Sequence, residues 1–209
     1  MHFLLYFCNM IRFPHFFIND NLSDFDLEEA LPLLDQHRRN ETLRYKNHTL
    51  QVQCAASWIL LKDAMKHIFG IDDMPQIAFG KHGKPFFPEL PNIHFNLSHC
   101  KNAVACAVSS HEVGIDIESV RHPLNDQLAQ YVLTDTELVQ VMSAKQPELV
   151  FTQFWTLKES IVKLTGNGIA DNVKTVLERY AQRIVSTTII APTLQYVCTI
   201  TSFKTDFDK

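Results

Sequence analysis

The sequence predicts an α+β fold in two halves, and three observations carry that expectation. The stretch "NHTLQVQCAASWILLKDAMKHIFG" (47–70) is helical in pattern: Leu50, Cys54, Trp58, Leu61 and Met65 recur at three and four, and Gly70 closes the run. "QIAFGKHGKPFFPELPNIHFNLSH" (76–99) then changes to Gly and Pro punctuation around short strands, followed by "AVACAVSS" and "VGIDIES". The same order returns after Pro123, where "PELVFTQFWTLKESIVKLTGNG" precedes the β-branched runs "VSTTIIA" and "LQYVCTITSF". Helix followed by antiparallel strands thus occurs twice, with a junction near 119–123.

The elements follow in chain order. The apolar run Phe3–Cys8 reads as a first strand. It is too short to span a bilayer, and "MHFLLYFCNMIRFPHFF" lacks the basic start and small-residue cleavage site of a secretion signal. In "SDFDLEEALPLLDQHRRNETLRY", Ser23 or Asp24 is the expected N-cap, with acids in the first turn and a break or a new start at Pro32. The long helix 47–70 and the strands "IHFNLSH", "AVACAVSS" and "VGIDIES" complete the first half. "NDQLAQYVL" and "TDTELVQVMSA" predict short helices, the second capped by Thr134 with Glu137 three residues later. Pro147 is permitted in the first turn of the next helix, which ends at Gly166 or Gly168.

Composition bounds the function. With 46% hydrophobic and 20% charged residues the chain is globular rather than disordered. Nineteen Lys and Arg against 23 Asp and Glu give −4, which offers no basic excess for nucleic acid. Five cysteines (Cys8, Cys54, Cys100, Cys106, Cys198), odd in number and without a CxxC, predict reduced thiols and a cytoplasmic protein.

Three clusters carry chemistry. In "VGIDIE", residues two apart on a strand share a face, so Asp116 and Glu118 point one way and Ile115 and Ile117 the other. An acidic face turned to water explains that pattern. A divalent cation, which would relieve the repulsion, explains it as well. On the helix around 155–163, Trp155, Glu159 and Lys163 are spaced at four and share a stripe, with Lys158 beside it. A plain i,i+4 surface pair has the same spacing. In "FGKHGKPFFPELPNIHFNLSHC", Gly80 and Gly83 allow close backbone approach, Lys81 and Lys84 supply point charges for phosphate, and Ser98 and His99 end a strand. GKHGK is too short for a P-loop, and neither HExxH nor a nucleophile elbow is present. The combined set suits metal-assisted chemistry on a phosphate-bearing substrate.

"GKPFFPELPNIHFNLSH", "VGIDIE" and "FWTLKESIVKLTGNGI", in that order over roughly residues 80–169, resemble the 4′-phosphopantetheinyl transferases of the surfactin-synthetase-activating type. The resemblance implies a monomeric pseudo-dimer of two similar α/β halves, each a small antiparallel sheet packed with a long helix. The halves would be 1–118, holding coenzyme A-binding elements, and 119–209, holding a catalytic helix at 147–166. It implies transfer of the 4′-phosphopantetheine arm of coenzyme A to a serine of an apo acyl or peptidyl carrier protein, with release of adenosine 3′,5′-bisphosphate. Mg²⁺ (or Mn²⁺) would be held by Asp116, Glu118 and Glu159. Glu159 is matched to a general base, Lys163 to a phosphate contact, and Asp116, Glu159 and Lys163 to the catalytic set. Lys84, Gly83, Ser98, His99, Arg38 and Lys158 are matched to the coenzyme A contacts.

The sequence departs from the pattern at Gln53, where the resemblance expects an Arg for the 3′-phosphate, with Lys46 or Arg44 as substitutes. That departure leaves open a non-catalytic module that binds coenzyme A or a carrier protein. A metal-dependent phosphohydrolase using the same acids is a third possibility. Neither nucleic acid nor membrane is expected as a partner.

Overall fold

The computed structural model describes residues 4–6, 14–168 and 172–204. Phe3 and Cys8, named above, lie outside them. The first sheet is antiparallel, in the order β1 (Leu4–Tyr6), β2 (His15–Asn19), β6 (Val104–Ser109), β5 (His94–His99). A small hairpin pairs β3 (Ala78–Phe79) with β4 (Pro85–Phe86). The second sheet runs β7 (Val113–Ser119), β9 (Tyr196–Phe203), β8 (Ile184–Ile190), with β9 central and antiparallel to both neighbours. The sheets change at 110–112, so β7, counted with the first half in the sequence reading, is hydrogen-bonded into the second sheet.

Seven helices are described: α1 (Leu27–Ala30), α2 (Gln36–Arg44), α3 (His48–Phe69), α4 (Asp126–Val132), α5 (Asp135–Met142), α6 (Pro147–Thr165) and α7 (Val176–Tyr180). Their ends follow local chemistry. The Asn47 side chain caps α3, and Thr134 and Glu137 form a reciprocal capping box on α5. Gly70 and Gly166 close the two long helices in the left-handed conformation that glycine adopts without a Cβ penalty. The expected cap at Ser23 or Asp24 is corrected. Leu22–Asp24 form a 3-10 turn, and Asp26 caps α1 by accepting from the Glu29 amide. Ser23 and Asp24 lie within the 3-10 turn, whereas Asp26 has the extended backbone of an N-cap, as Asp35 does before α2.

Strand alternation sorts the core into layers. Val104, Cys106 and Val108 of β6 face α3, meeting Ala56, Leu60, Leu61, Ala64 and Met65. Ala105 and Ala107 face the other way, toward Ile115 and Ile117 of β7 and Cys198 and Ile200 of β9. α6 covers the outer face of the second sheet through β7 and β9. The buried face of α3 is broader than the predicted stripe. Leu50 is exposed, while Val52, Ala55, Ala56, Ile59 and Leu60 are buried, because α3 meets both the sheet and the α1 region.

Candidate active site

The site begins with β7. Ile115 and Ile117 are fully buried between the sheets, which turns Gly114, Asp116 and Glu118 toward α6. Gly114 sets the separation. A Cβ there would lie 2.0 Å from the Ser160 carbonyl oxygen and 2.6 Å from the Leu164 nitrogen, so only glycine permits this approach. The close contact brings the acids of β7 beside the stripe of α6 that the four-residue spacing predicted.

Lys163 Nζ donates to Asp116 Oδ1 at 2.6 Å and to Ser98 Oγ at 2.9 Å. Ser98 Oγ in turn donates to Asp116 Oδ1 at 3.0 Å and accepts from the Ile117 amide. Asn96, two residues earlier on β5, accepts from the Ile115 amide at 2.9 Å. Trp155 Nε1 donates to Glu118 Oε1 at 3.1 Å, and Arg121 lies 3.8 Å from the other oxygen. A cleft of about 410 Å³ opens over this arrangement, lined among others by Gly83, Lys84, Asn96, Trp155, Glu159 and Lys163.

Electrostatics tune the acids upward. Burial, then the Asp116 carboxylate, raises the pKa of Glu118, while the Trp155 hydrogen bond works against the rise. Glu159 is raised by burial and by Asp116, with Lys163 opposing. His99 is shifted downward by desolvation and by the Lys163 charge, with Asp116 pulling the other way.

Most of the expected residues converge. Asp116, Ser98 and Lys163 are bonded to one another, Glu159, Gly83 and Lys84 line the cleft, and His99 ends β5 at its edge. Two do not reach it. Lys158 is fully buried, donating to Val132 O, Lys174 O and Glu137 Oε2. One residue on a helix is a turn of about 100°, which sends Lys158 into the interface with α5 while Glu159 faces the cleft. Arg38 is 5% exposed, lies 3.9 Å over the Trp58 ring and pairs with Glu41 at 2.7 Å. Its guanidinium is committed to α2 and α3. Gln53 is buried and donates to Cys100 O at 2.7 Å, tying α3 to the end of β5.

The expected metal triad is arranged differently. Among the described residues, no three His, Cys, Asp or Glu side chains form a metal-holding group. Lys163 neutralises Asp116 Oδ1, and Glu118 is turned to Trp155. The donor chemistry nevertheless fits a hard cation. Asp116 Oδ2 is buried and unpartnered, and the two raised glutamates supply the oxygen ligands that Mg²⁺ prefers.

Sequence reading missed Asn96, Tyr131 and Glu112. Asn96 was legible, because it shares the strand face of Ser98. Glu112 stands next to the acidic strand, but only the fold shows that it meets Lys84. Tyr131 had no signal beyond being an aromatic on a short helix.

Fold and cleft define an α+β protein with carboxylates and lysines gathered between β5, β7 and α6. A family model described as the 4'-phosphopantetheinyl transferase superfamily matches residues 112–204, the span from the turn before β7 to the end of β9. The 4'-phosphopantetheinyl transferase AcpT of Escherichia coli is 32% identical over 157 residues, covering 72% of this chain and 78% of that protein. The 4'-phosphopantetheinyl transferase ffp of Bacillus subtilis is 35% identical over 152 residues, covering 71% and 67%. For another Bacillus subtilis 4'-phosphopantetheinyl transferase, 36% identical over 117 residues, the matched region spans about half of each chain, 54% and 51%. The chain belongs to the 4'-phosphopantetheinyl transferase superfamily.

Proposed function

We propose that the protein transfers the 4′-phosphopantetheine arm of coenzyme A to a serine hydroxyl of an apo acyl or peptidyl carrier protein, releasing adenosine 3′,5′-bisphosphate. The observation that carries this reading is the Asp116–Lys163–Ser98 cluster beside Glu159 in the cleft. In this scheme Glu159 takes the proton of the carrier serine as its oxygen attacks the β-phosphorus. The raised pKa of Glu159 supports that role, since a base works best with a pKa drawn toward the operating pH. Lys163, held by Asp116 and Ser98, offers its charge to the transferring phosphoryl oxygens. Lys84 and Gly83 face the coenzyme A phosphates, with His99 beside them. Asp116, Glu118 and Glu159 would hold Mg²⁺ (or Mn²⁺), which supplies charge neutralisation on the pyrophosphate. The exposed wall at Tyr131 leaves room for a carrier protein at the mouth.

We further read the protein as a monomer of the cytoplasm. The free thiols of Cys54, Cys100, Cys106 and Cys198 support the compartment. Among the described residues no helix is long and apolar enough to cross a membrane.

Incubation with coenzyme A, Mg²⁺ and a panel of apo carrier proteins tests the reading. The expected result is a mass gain of one phosphopantetheine arm, abolished by Asp116→Ala. A second reading, a module that binds coenzyme A or a carrier without turnover, is favoured by Gln53. Its amide is engaged with Cys100 O and brings no charge to a 3′-phosphate. Calorimetric binding combined with no mass gain on any carrier would select it.

A further inference from the structure

The geometry points to Glu112 as the positioning residue of Lys84, fixing that lysine at the cleft and thereby setting the affinity for the anionic co-substrate. This rests on the proposed binding of coenzyme A in the cleft. Lys84 sits at the end of a hairpin with only two residue pairs, a weak platform for a long, flexible side chain. Its stem lies against Gly166, where a Cβ would come within 3.3 Å of Lys84 Cδ. Its ammonium donates to Leu164 O at 2.9 Å and to Glu112 Oε2. The carboxylate is held in turn, with Glu112 Oε1 3.2 Å from His94 Nδ1.

An ammonium has three N–H groups. Leu164 O and Glu112 occupy two, which leaves one for the cleft. The Lys84–Glu112 pair is partly exposed, at 21% and 46%, so it adds little to folding stability. Its effect is to remove rotamer freedom that a free lysine would otherwise lose on meeting an anion. The chain His94, Glu112, Lys84, Leu164 O also joins the hairpin, β5, the turn before β7 and the C-terminal end of α6. The position of Lys84 is thus referred to both halves of the protein.

Calorimetry with coenzyme A at fixed Mg²⁺ tests this on the full chain, with thermal unfolding run on each variant to check folding. Glu112→Ala is expected to raise Kd roughly three- to tenfold, the equivalent of one unfixed long side chain. Glu112→Gln, which keeps an acceptor for Lys84, is expected to restore most of that loss. In a Lys84→Ala background, Glu112→Ala should add nothing further. An unchanged or lower Kd for Glu112→Ala, or additive effects in the double variant, overturns the inference. Wild-type protein that takes up no coenzyme A overturns the functional reading, and this inference with it. Wild-type binding with indifferent variants overturns this inference alone.

Discussion

The two long helices lie on their sheets in different ways. α3 meets β2, β5 and β6 through Ala56, Leu60, Leu61, Ala64 and Met65 against Phe17, Phe95, Cys106 and Val108. α6 meets β7 and β9 through Gly114 and a set of paired hydroxyls. Thr156 and Thr199 lie 2.8 Å apart, Thr199 also meets Thr188 at 3.0 Å, and Ser160 bonds Thr201. Apolar contact is non-directional and tolerates small slides. Hydrogen bonds between buried hydroxyls fix register, because a slide would leave them unpaired. The first arrangement secures a half of the fold. The second fixes a helix whose half-buried stripe, Trp155, Glu159 and Lys163, must meet Asp116 and Glu118.

The largest effect that would sharpen this contrast is expected at Lys158, the buried cation of the α6 side. Lys158→Ala leaves Val132 O and Lys174 O without a donor and Glu137 without its cation, and should cost about 3–5 kcal/mol in urea unfolding. On the α3 side, Leu61→Ala should cost about 2–5 kcal/mol by cavity formation, measured the same way. Comparable coenzyme A affinity in the folded fraction of Leu61→Ala is expected, since its core lies on the far side of the first sheet; a lost site would break the contrast. Thr199→Val is expected to cost about 1 kcal/mol by removing the buried hydroxyl that Thr156 meets at 2.8 Å, Thr156 keeping only Gln153 O. Adding Thr156→Val should recover part of that loss, whereas a second truncation beside Leu61 should deepen its cavity.

The smallest effect is a pH dependence confined to the α6 side. Glu118 and Glu159 have folded pKa values raised, chiefly by burial. Their contribution to stability is therefore fully present below the unfolded glutamate pKa of about 4.3 and is lost as pH rises through the raised values. The proposed Mg²⁺ site needs the ionised carboxylates, so on that proposal added Mg²⁺ should stabilise the protein in thermal unfolding more at pH 8 than at pH 5. Glu159→Gln should reduce that difference.

Much of this was legible in the sequence, for identifiable reasons. The period of two in "VGIDIE" placed Ile115 and Ile117 in the core and the acids on the opposite face. The period of four placed Trp155, Glu159 and Lys163 on one stripe. Pattern gave no partner for that stripe, since contact between α6 and β7 depends on Gly114 lacking a side chain. Lys158 was misplaced because adjacency in sequence hides a turn of the helix. Arg38 was misplaced because a match by position in the chain says nothing of the Trp58 ring beneath its guanidinium. The Lys84–Glu112 pair was invisible, as the two residues are far apart in the chain and meet only through the fold.

The seam between the sheets has a consequence for thermodynamic linkage. β5 and β7 belong to different sheets, and the Ile115 and Ile117 amides are satisfied by the side chains of Asn96 and Ser98. A ligand touching both Lys84 and Lys163 binds only while that seam is closed. Its binding free energy is then added to the work of parting the halves, about 2.7 kcal/mol at a concentration 100 times Kd. Hydrogen exchange at the Ile115 and Ile117 amides should slow accordingly as the cleft fills, reporting occupancy without any turnover.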